Sequence, residues 1–176
     1  MPIKRESLIS VINAVSPEHV LTEFRGQLSV IIPVDKIKDI CFELRDNTET
    51  KFDMLIDITA IDWAKPGFRF EVVYFLYSNS EKDRIRIKVP IHEKILLCPS
   101  MVDVWESANW YERETFDMYG IKFENHPNLR RFYMPEDFVD PESGDSLYPL
   151  RKDFPLMGIP EALPLPPYPE KYGDIK

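Results

Sequence analysis

Arg69-Phe70-Glu71-Val72-Val73-Tyr74-Phe75-Leu76-Tyr77, Ser78-Asn79-Ser80-Glu81-Lys82-Asp83 and Arg84-Ile85-Arg86-Ile87-Lys88-Val89 read as strand, polar loop and strand. The second strand alternates cleanly, with Ile85, Ile87 and Val89 on one side and Arg84, Arg86 and Lys88 on the other. That period of two marks a strand with one buried face. The loop is made of residues that favour turns. Three cations on one face are an ordinary way to guard a sheet edge, so this strand is expected at an edge. An anion-binding strip is the functional alternative.

Working outward, residues 52–61 are rich in Ile and alternate imperfectly, which predicts a further strand. His19 to Phe24 and Leu28 to Ile32 flank Arg25-Gly26-Gln27 and read as a hairpin. Leu8, Ile9, Val11, Ile12 and Val15 form a helical stripe that ends near Ser16-Pro17. A second helix, capped by Asp35, is expected to bury Ile37, Ile40, Cys41 and Leu44. Helices interleaved with hairpins indicate an α+β fold, a two-layer sandwich of a mixed or antiparallel sheet with packed helices. An extended Pro-rich C-terminal tail follows. The domain reading is a body over 1–125 and a tail over 126–176.

The chain has 176 residues, 44% hydrophobic, enough for one well-packed core. A formal net charge of −8 argues against a sequence-independent nucleic-acid binder, which needs a cationic face. Cys41 and Cys98 form no CxxC pair and read as small buried hydrophobes, so no cluster or zinc site is expected within this chain. The N-terminus lacks the apolar segment of a secretory signal, which points to the cytoplasm. No apolar run approaches the roughly 18 residues of a membrane span.

The helical region 105–119 is unusual. In Trp110-Tyr111-Glu112-Arg113-Glu114-Thr115-Phe116-Asp117-Met118-Tyr119-Gly120, Glu112 falls in the apolar arc, while Trp110 shares the opposite side with Arg113, Glu114 and Asp117. Such a helix is expected to be covered on both sides, with charges that need protein partners. Gly120 is placed to end it in a left-handed conformation. The plainer alternative is a surface helix with one satisfied Glu and one exposed Trp. Glu112, Glu114 and Asp117 could also be catalytic carboxylates of a soluble hydrolase, although Glu112 and Glu114 point roughly oppositely on a helix.

From His126 onward the periodicity fades. Ten of the sixteen prolines lie from Pro127 on, and Pro164-Leu165-Pro166-Pro167-Tyr168-Pro169 favours a polyproline-II trace. Large apolar residues such as Leu129, Phe132, Tyr133, Phe138, Tyr148 and Phe154 recur along it. Anchors spaced along an extended chain suit it to lie on a partner's surface. Folding back over its own domain is the alternative.

The block Asn109 to Glu124, followed by His126-Pro127-Asn128-Leu129-Arg130-Arg131, closely resembles the complex I 30 kDa subunit family, the C subunits of respiratory NADH-quinone oxidoreductase. Leu55 to Asp62, Arg69 to Tyr74 and Pro149-Leu150-Arg151-Lys152-Asp153-Phe154-Pro155-Leu156 match the same family in the same order. The resemblance covers about residues 52–156. It implies a small α+β domain in the peripheral arm of NADH-quinone oxidoreductase, on the cytoplasmic side of the cell inner membrane. FMN, iron–sulfur clusters and quinone would all be held by partner subunits and none by this chain. Its expected partners are chiefly the D subunit, which forms the quinone site, and the cluster-bearing B and I subunits.

Carried over residue by residue, Trp110, Tyr111, Glu112, Arg113, Glu114, Asp117, Tyr119 and Gly120 take structural or docking roles. So do His126, Pro127, Arg130, Arg131, Pro149, Leu150, Arg151, Lys152 and Asp153. Glu112 is expected to pair with an arginine, Arg130, Arg131 or one from a partner. Where relatives commonly carry Gly-His before Pro-Leu-Arg-Lys, this chain has Leu147-Tyr148. The same module in energy-converting membrane hydrogenases, or in complexes fed by other donors, is the nearest rival reading. An adaptor outside respiration is a more distant one.

Overall fold

The computed structural model describes residues 5–154. Ten elements follow in order: α1 (Arg5–Val15), β1 (Val20–Phe24), β2 (Gln27–Ile31), α2 (Ile37–Asp46), β3 (Met54–Asp62), β4 (Phe70–Ser78), β5 (Asp83–Ile91), β6 (Leu97–Pro99), α3 (Ala108–Tyr119) and β7 (Lys122–Glu124). The main sheet has the order β1-β2-β5-β4-β3, and β6 and β7 form a small parallel pair.

Local chemistry explains the antiparallel units. Arg25 and Gly26 both take positive φ (51° and 75°), as a two-residue turn matching strand twist requires, and β1 pairs with β2 across it. The 78–83 loop joins β4 to β5 in uninterrupted antiparallel register, Phe70 opposite Ile91 and Ser78 opposite Asp83. β3 adds on the far side of β4 with a bulge between Leu55 and Asp57. One parallel contact, Ser29–Ile31 against Arg86–Lys88, joins the two halves and makes the sheet mixed.

That pairing corrects one expectation. β5 is an interior strand, so Arg84, Arg86 and Lys88 guard no edge; the edges are β1 and β3. The Asp35 cap is also absent: α2 has Lys36 at its N-cap position, with no side-chain hydrogen bond.

The sheet's inner face carries Ile58, Val72, Tyr74, Ile87 and Val30, all buried, in one core with Leu8 and Ile12 of α1, Ile40 and Leu44 of α2 and Ala108 of α3. The helices supply the second layer, as expected of a two-layer α+β sandwich. Cys41 and Cys98 are fully buried free thiols. Burial pushes both up, Cys98 to about 12, so neither ionises near neutral pH.

Residues 126–154 do not leave the body. They return along α3 and reach the end of β3, where the Lys152 N–H donates to Asp62 Oδ2 at 2.8 Å. A tail that leaves its own body at residue 126 to cover a partner is therefore not what this stretch forms. The Pro164–Pro169 run, with Pro155 and Leu156, lies outside the described residues.

Candidate functional site

The family-like residues gather around α3. Its Gly120 sits at the C-cap with φ 75° and its N–H donates to Phe116 O. A side chain there would be strained twice, because an added Cβ would lie 2.5 Å from Arg151 Nη2 and 2.6 Å from Tyr148 Cζ. The returning segment needs this bare position to close on the helix end. Once there, it caps the helix: Leu150 N–H donates to Met118 O (3.2 Å) and Arg151 Nε–H to Tyr119 O (2.6 Å).

Glu112 and Asp117 are both fully buried on α3, and each has different partners. Glu112 accepts from the Ser100 hydroxyl (2.7 Å) and the Met101 N–H (2.5 Å), so it ties the helix to the loop that precedes it. No arginine reaches it among the described residues, which corrects the expected pairing with Arg130 or Arg131. Burial outweighs those two donors and pushes its carboxyl up to about 7.

Asp117 takes the arginine instead. Arg131 Nη1 lies 3.2 Å from Oδ1, and Oδ2 accepts three successive backbone N–H groups, from Phe132, Tyr133 and Met134, at 2.8–3.1 Å. Consecutive N–H groups converging on one oxygen form an anion nest, filled here by the chain's own carboxylate.

Arg113 is buried between two aromatic rings, its guanidinium carbon 4.8 Å from the centroids of both Trp110 and Phe132. Its Nε–H donates to Arg130 O at 3.2 Å. Trp110 remains 59% exposed while meeting Phe132 edge-on. The helix is thus covered on both sides, and Glu112, Arg113 and Asp117 are more deeply buried than Phe116, Met118 and Tyr119.

His126 bridges Asn109 O through Nε2 (3.1 Å) and accepts the Asn128 N–H at Nδ1 (3.0 Å), an arrangement that suits the neutral ring. Burial lowers its pKa in the same sense. Glu114 is half-buried, with its carboxyl raised by burial and then by nearby Asp57. Tyr111 packs against the core, and Pro127, Arg130 and Leu150 face outward.

At the far end, Tyr148 is flanked by Arg151 (4.2 Å) and Arg131 (5.1 Å), guanidinium carbon to ring centroid. Pro149 leads into this turn, half-buried. Arg69 pairs with buried Asp62 (2.6 Å) and with Asp153 (2.9 Å), and Arg69 above all holds the Asp62 carboxyl well below the usual range.

Glu112, Glu114 and Asp117 therefore face three different segments and do not flank one bond, which counts against hydrolase chemistry. Among the described residues no group of three or more His, Cys, Asp or Glu is placed to hold a metal ion. Sequence reasoning missed Ser100 and Met101, whose roles are a hydroxyl and a backbone N–H in a loop. It also assigned no partner to Asp62 or Arg69.

The sequence matches the respiratory-chain NADH dehydrogenase, 30 Kd subunit, over residues 30–160. The chain belongs to that family. The NADH-quinone oxidoreductase C subunit of Geotalea uraniireducens is 43% identical over 136 residues, covering 77% of each protein. The corresponding protein of Roseiflexus sp. (strain RS-1) is 40% identical over 158 residues, 89% of this chain and 87% of that one. Two solved structures share the fold of this 30 kDa subunit family member. A trypsin-resistant fragment (1–134) of Nqo5 superposes with a TM-score of 0.60 at 30% identity, covering 70% of this chain and 98% of the fragment. A chain of the membrane-bound sulfane sulfur reductase, an archaeal respiratory membrane complex, gives 0.67 at 30% identity and 86% coverage of each.

Proposed function

We propose that this chain is a non-catalytic brace in the peripheral arm of a proton-translocating NADH-quinone oxidoreductase. It holds redox centres and the quinone cavity in fixed relation, so that electrons pass from NADH through FMN and iron–sulfur centres of partner subunits to quinone. It binds none of those cofactors itself. It docks chiefly on the quinone-site D subunit and on the cluster-bearing B and I subunits, at the cytoplasmic side of the inner membrane.

The observation that carries this reading is the identity to NADH-quinone oxidoreductase subunits over more than three quarters of the chain. The geometry supports it. α3 and the segment after it form one self-capped unit whose buried charges, Glu112, Arg113 and Asp117, are engaged internally, while Trp110, Tyr133 and Leu150 lie exposed on or beside it. Exposed aromatic and aliphatic groups on a rigid support suit an interface. No helix among the described residues is long and apolar enough to cross a membrane, in keeping with attachment through partners.

The test is a mild-detergent pull-down of the tagged chain from membranes, paired with NADH:quinone reductase assays on membranes lacking it. Cluster-bearing polypeptides travelling with the tag, and loss of activity without the chain, are the expected results. A solitary soluble chain that turns over a substrate by itself refutes the reading. The likeness to a sulfane sulfur reductase chain, which spans 86% of both molecules, favours a second reading in which the donor is not NADH. Membranes whose chain-dependent activity runs on another donor, and not on NADH, identify that case.

A further inference from the structure

The sheet has a second face, which the helices leave bare. Its alternate residues are Phe75 and Tyr77 on β4, Arg84, Arg86 and Lys88 on β5, and Gln27 and Ile31 on β2. Since β5 is interior, edge protection does not explain its cations. On a chain of net charge −8 they are a local reversal of sign. Lys88 is neutralised by Glu71 at 2.9 Å; Arg84 and Arg86 then outnumber the one other carboxylate of this face, Asp57, which stands opposite Phe75 on β3.

Arg86 is held in place rather than waving in solvent. Its guanidinium lies 5.2 Å from the Phe75 centroid and Nη2 donates to Gln27 Oε1 at 2.9 Å. Its Nε–H is buried with no acceptor among the described residues. A buried donor without a partner is unfavourable, and a carboxylate on the guanidinium would add a charge-assisted bond. Arg84 and Arg86 line a cleft of about 220 Å³ together with Gln27, Ile56 and Phe75.

The same face ends, past Pro90, in a larger cavity of about 510 Å³. Trp63 and Phe68, 50% and 59% exposed, form its mouth with Pro33 and Pro90. Glu18 and Asp35 line it together with Lys65, so this end of the face is of mixed charge. From Arg86 to Pro90 is about 13 Å along a strand.

We propose that the helix-free face of the sheet is a docking surface for an extended, acidic segment of a neighbouring polypeptide. Arg84 and Arg86 receive its carboxylate, and an apolar side chain about four to six residues away enters the Trp63–Phe68 cavity. Apolar contact supplies the area, while the pair of arginines sets direction and register. The surface lies on the layer opposite the one built by α3, so it is additional to the interface around Trp110, Tyr133 and Leu150. It rests on the proposed function only in requiring that the chain works inside an assembly.

Zero-length carbodiimide coupling, which joins amines only to carboxylates in contact, tests this on the assembled complex from membranes. The Arg86→Lys variant places an amine where the carboxylate is expected. An amide between position 86 or Lys88 and an Asp or Glu of another polypeptide supports the docking surface. The exposed Lys38–Asp103 pair, 2.7 Å apart, is the internal positive control. Control coupling with no such intersubunit amide, or with amides only to a second copy of this chain, overturns it. The double variant Arg84→Glu/Arg86→Glu is expected to be retained about tenfold less in the solubilised complex. Undiminished retention of the double variant also overturns the proposal. If the chain fails to fractionate with membranes at all, the assembly reading itself has failed, which separates the two outcomes.

Discussion

Glu112 and Asp117 stand on one helix, equally buried, yet they solve the same problem differently. Glu112 meets only neutral donors from the loop before the helix, and burial pushes its carboxyl up to about 7. Asp117 meets a guanidinium and three N–H groups from the segment after the helix. The first carboxylate tolerates losing its charge; the second is gripped by four donors from a single segment. α3 is therefore a buckle with two unequal tongues, one fastening 100–101 and the other 131–134.

Breaking the stronger tongue has the largest effect. Asp117→Ala strands the Arg131 guanidinium and three N–H groups together, and losing one member of such a buried set costs about 3–5 kcal/mol. The expected outcome is a lower urea midpoint and fast amide exchange at 131–134, spreading to Leu150 and Arg151. Unchanged exchange at 131–134 would show that the nest is incidental.

The weaker tongue is sharpened by pH. In the unfolded chain Glu112 reverts to its ordinary 4.5, whereas in the fold it titrates at about 7. The folded state thus binds the extra proton between those values. Its contribution is fully present below about 4.5 and is lost as pH rises to about 7. At about 1.4 kcal/mol per unit, the swing is on the order of 3 kcal/mol. Glu112→Gln keeps an acceptor for Met101 and is expected to flatten stability across that window. Asp62 runs the other way: its contribution is present above its ordinary 3.8 and disappears as pH falls below it, so Asp62→Asn removes an acid-side loss instead. Parallel curves for wild type and Glu112→Gln from pH 4.5 to 7 would sink the contrast.

Much of this was written in local chemistry. Alternation in Arg84–Val89, the positive-φ turn at Arg25-Gly26 and the stop at Gly120 each need only a few neighbouring residues, and each is where the pattern placed it. The odd placement of Glu112 in an apolar arc also signalled burial correctly. What local pattern did not carry was pairing at a distance. The β2–β5 contact spans more than fifty residues and moves β5 from edge to interior. The partners of Glu112 and Asp117 include backbone N–H groups, which every residue but proline has and which leave no trace in composition. Arginine was expected at Glu112 because a carboxylate among apolar neighbours needs a partner; five residues further along the helix, Asp117 faces the run of N–H groups beside Arg131 and takes it.

A moderate effect is expected where the 148–151 turn closes on the end of α3. Gly120→Ala puts a Cβ against Arg151 Nη2 and Tyr148 Cζ and holds an L-residue at φ 75°. The left-handed backbone alone costs about 1–2 kcal/mol. Displacement of Tyr148 and Arg151 adds to that. The measurement is limited proteolysis: faster cleavage near Arg151, with the 100–101 loop as protected as before. Equal loosening at both ends would mean that the two fastenings are not independent.

The smallest effect discriminates best. The Tyr148 ring lies between two guanidiniums, Arg131 and Arg151. A ring face attracts a cation through its quadrupole, at about 0.5–1 kcal/mol for an exposed pair and more when desolvated. An imidazole there would have to stay neutral between two positive charges, whereas a benzene ring offers the same face without a titrating nitrogen. If the face is what matters, Tyr148→Phe changes stability by less than about 0.5 kcal/mol, as ordinary substitutions outside special features do. Tyr148→His would instead weaken the 147–151 turn as pH falls and the new ring charges against Arg131 and Arg151. Amide exchange of Leu150, followed from about pH 8 to about pH 6 across the ordinary histidine range, reads this directly. A Tyr148→Phe chain that loosens as much as Tyr148→His would place the effect in the hydroxyl and remove the ring-face argument.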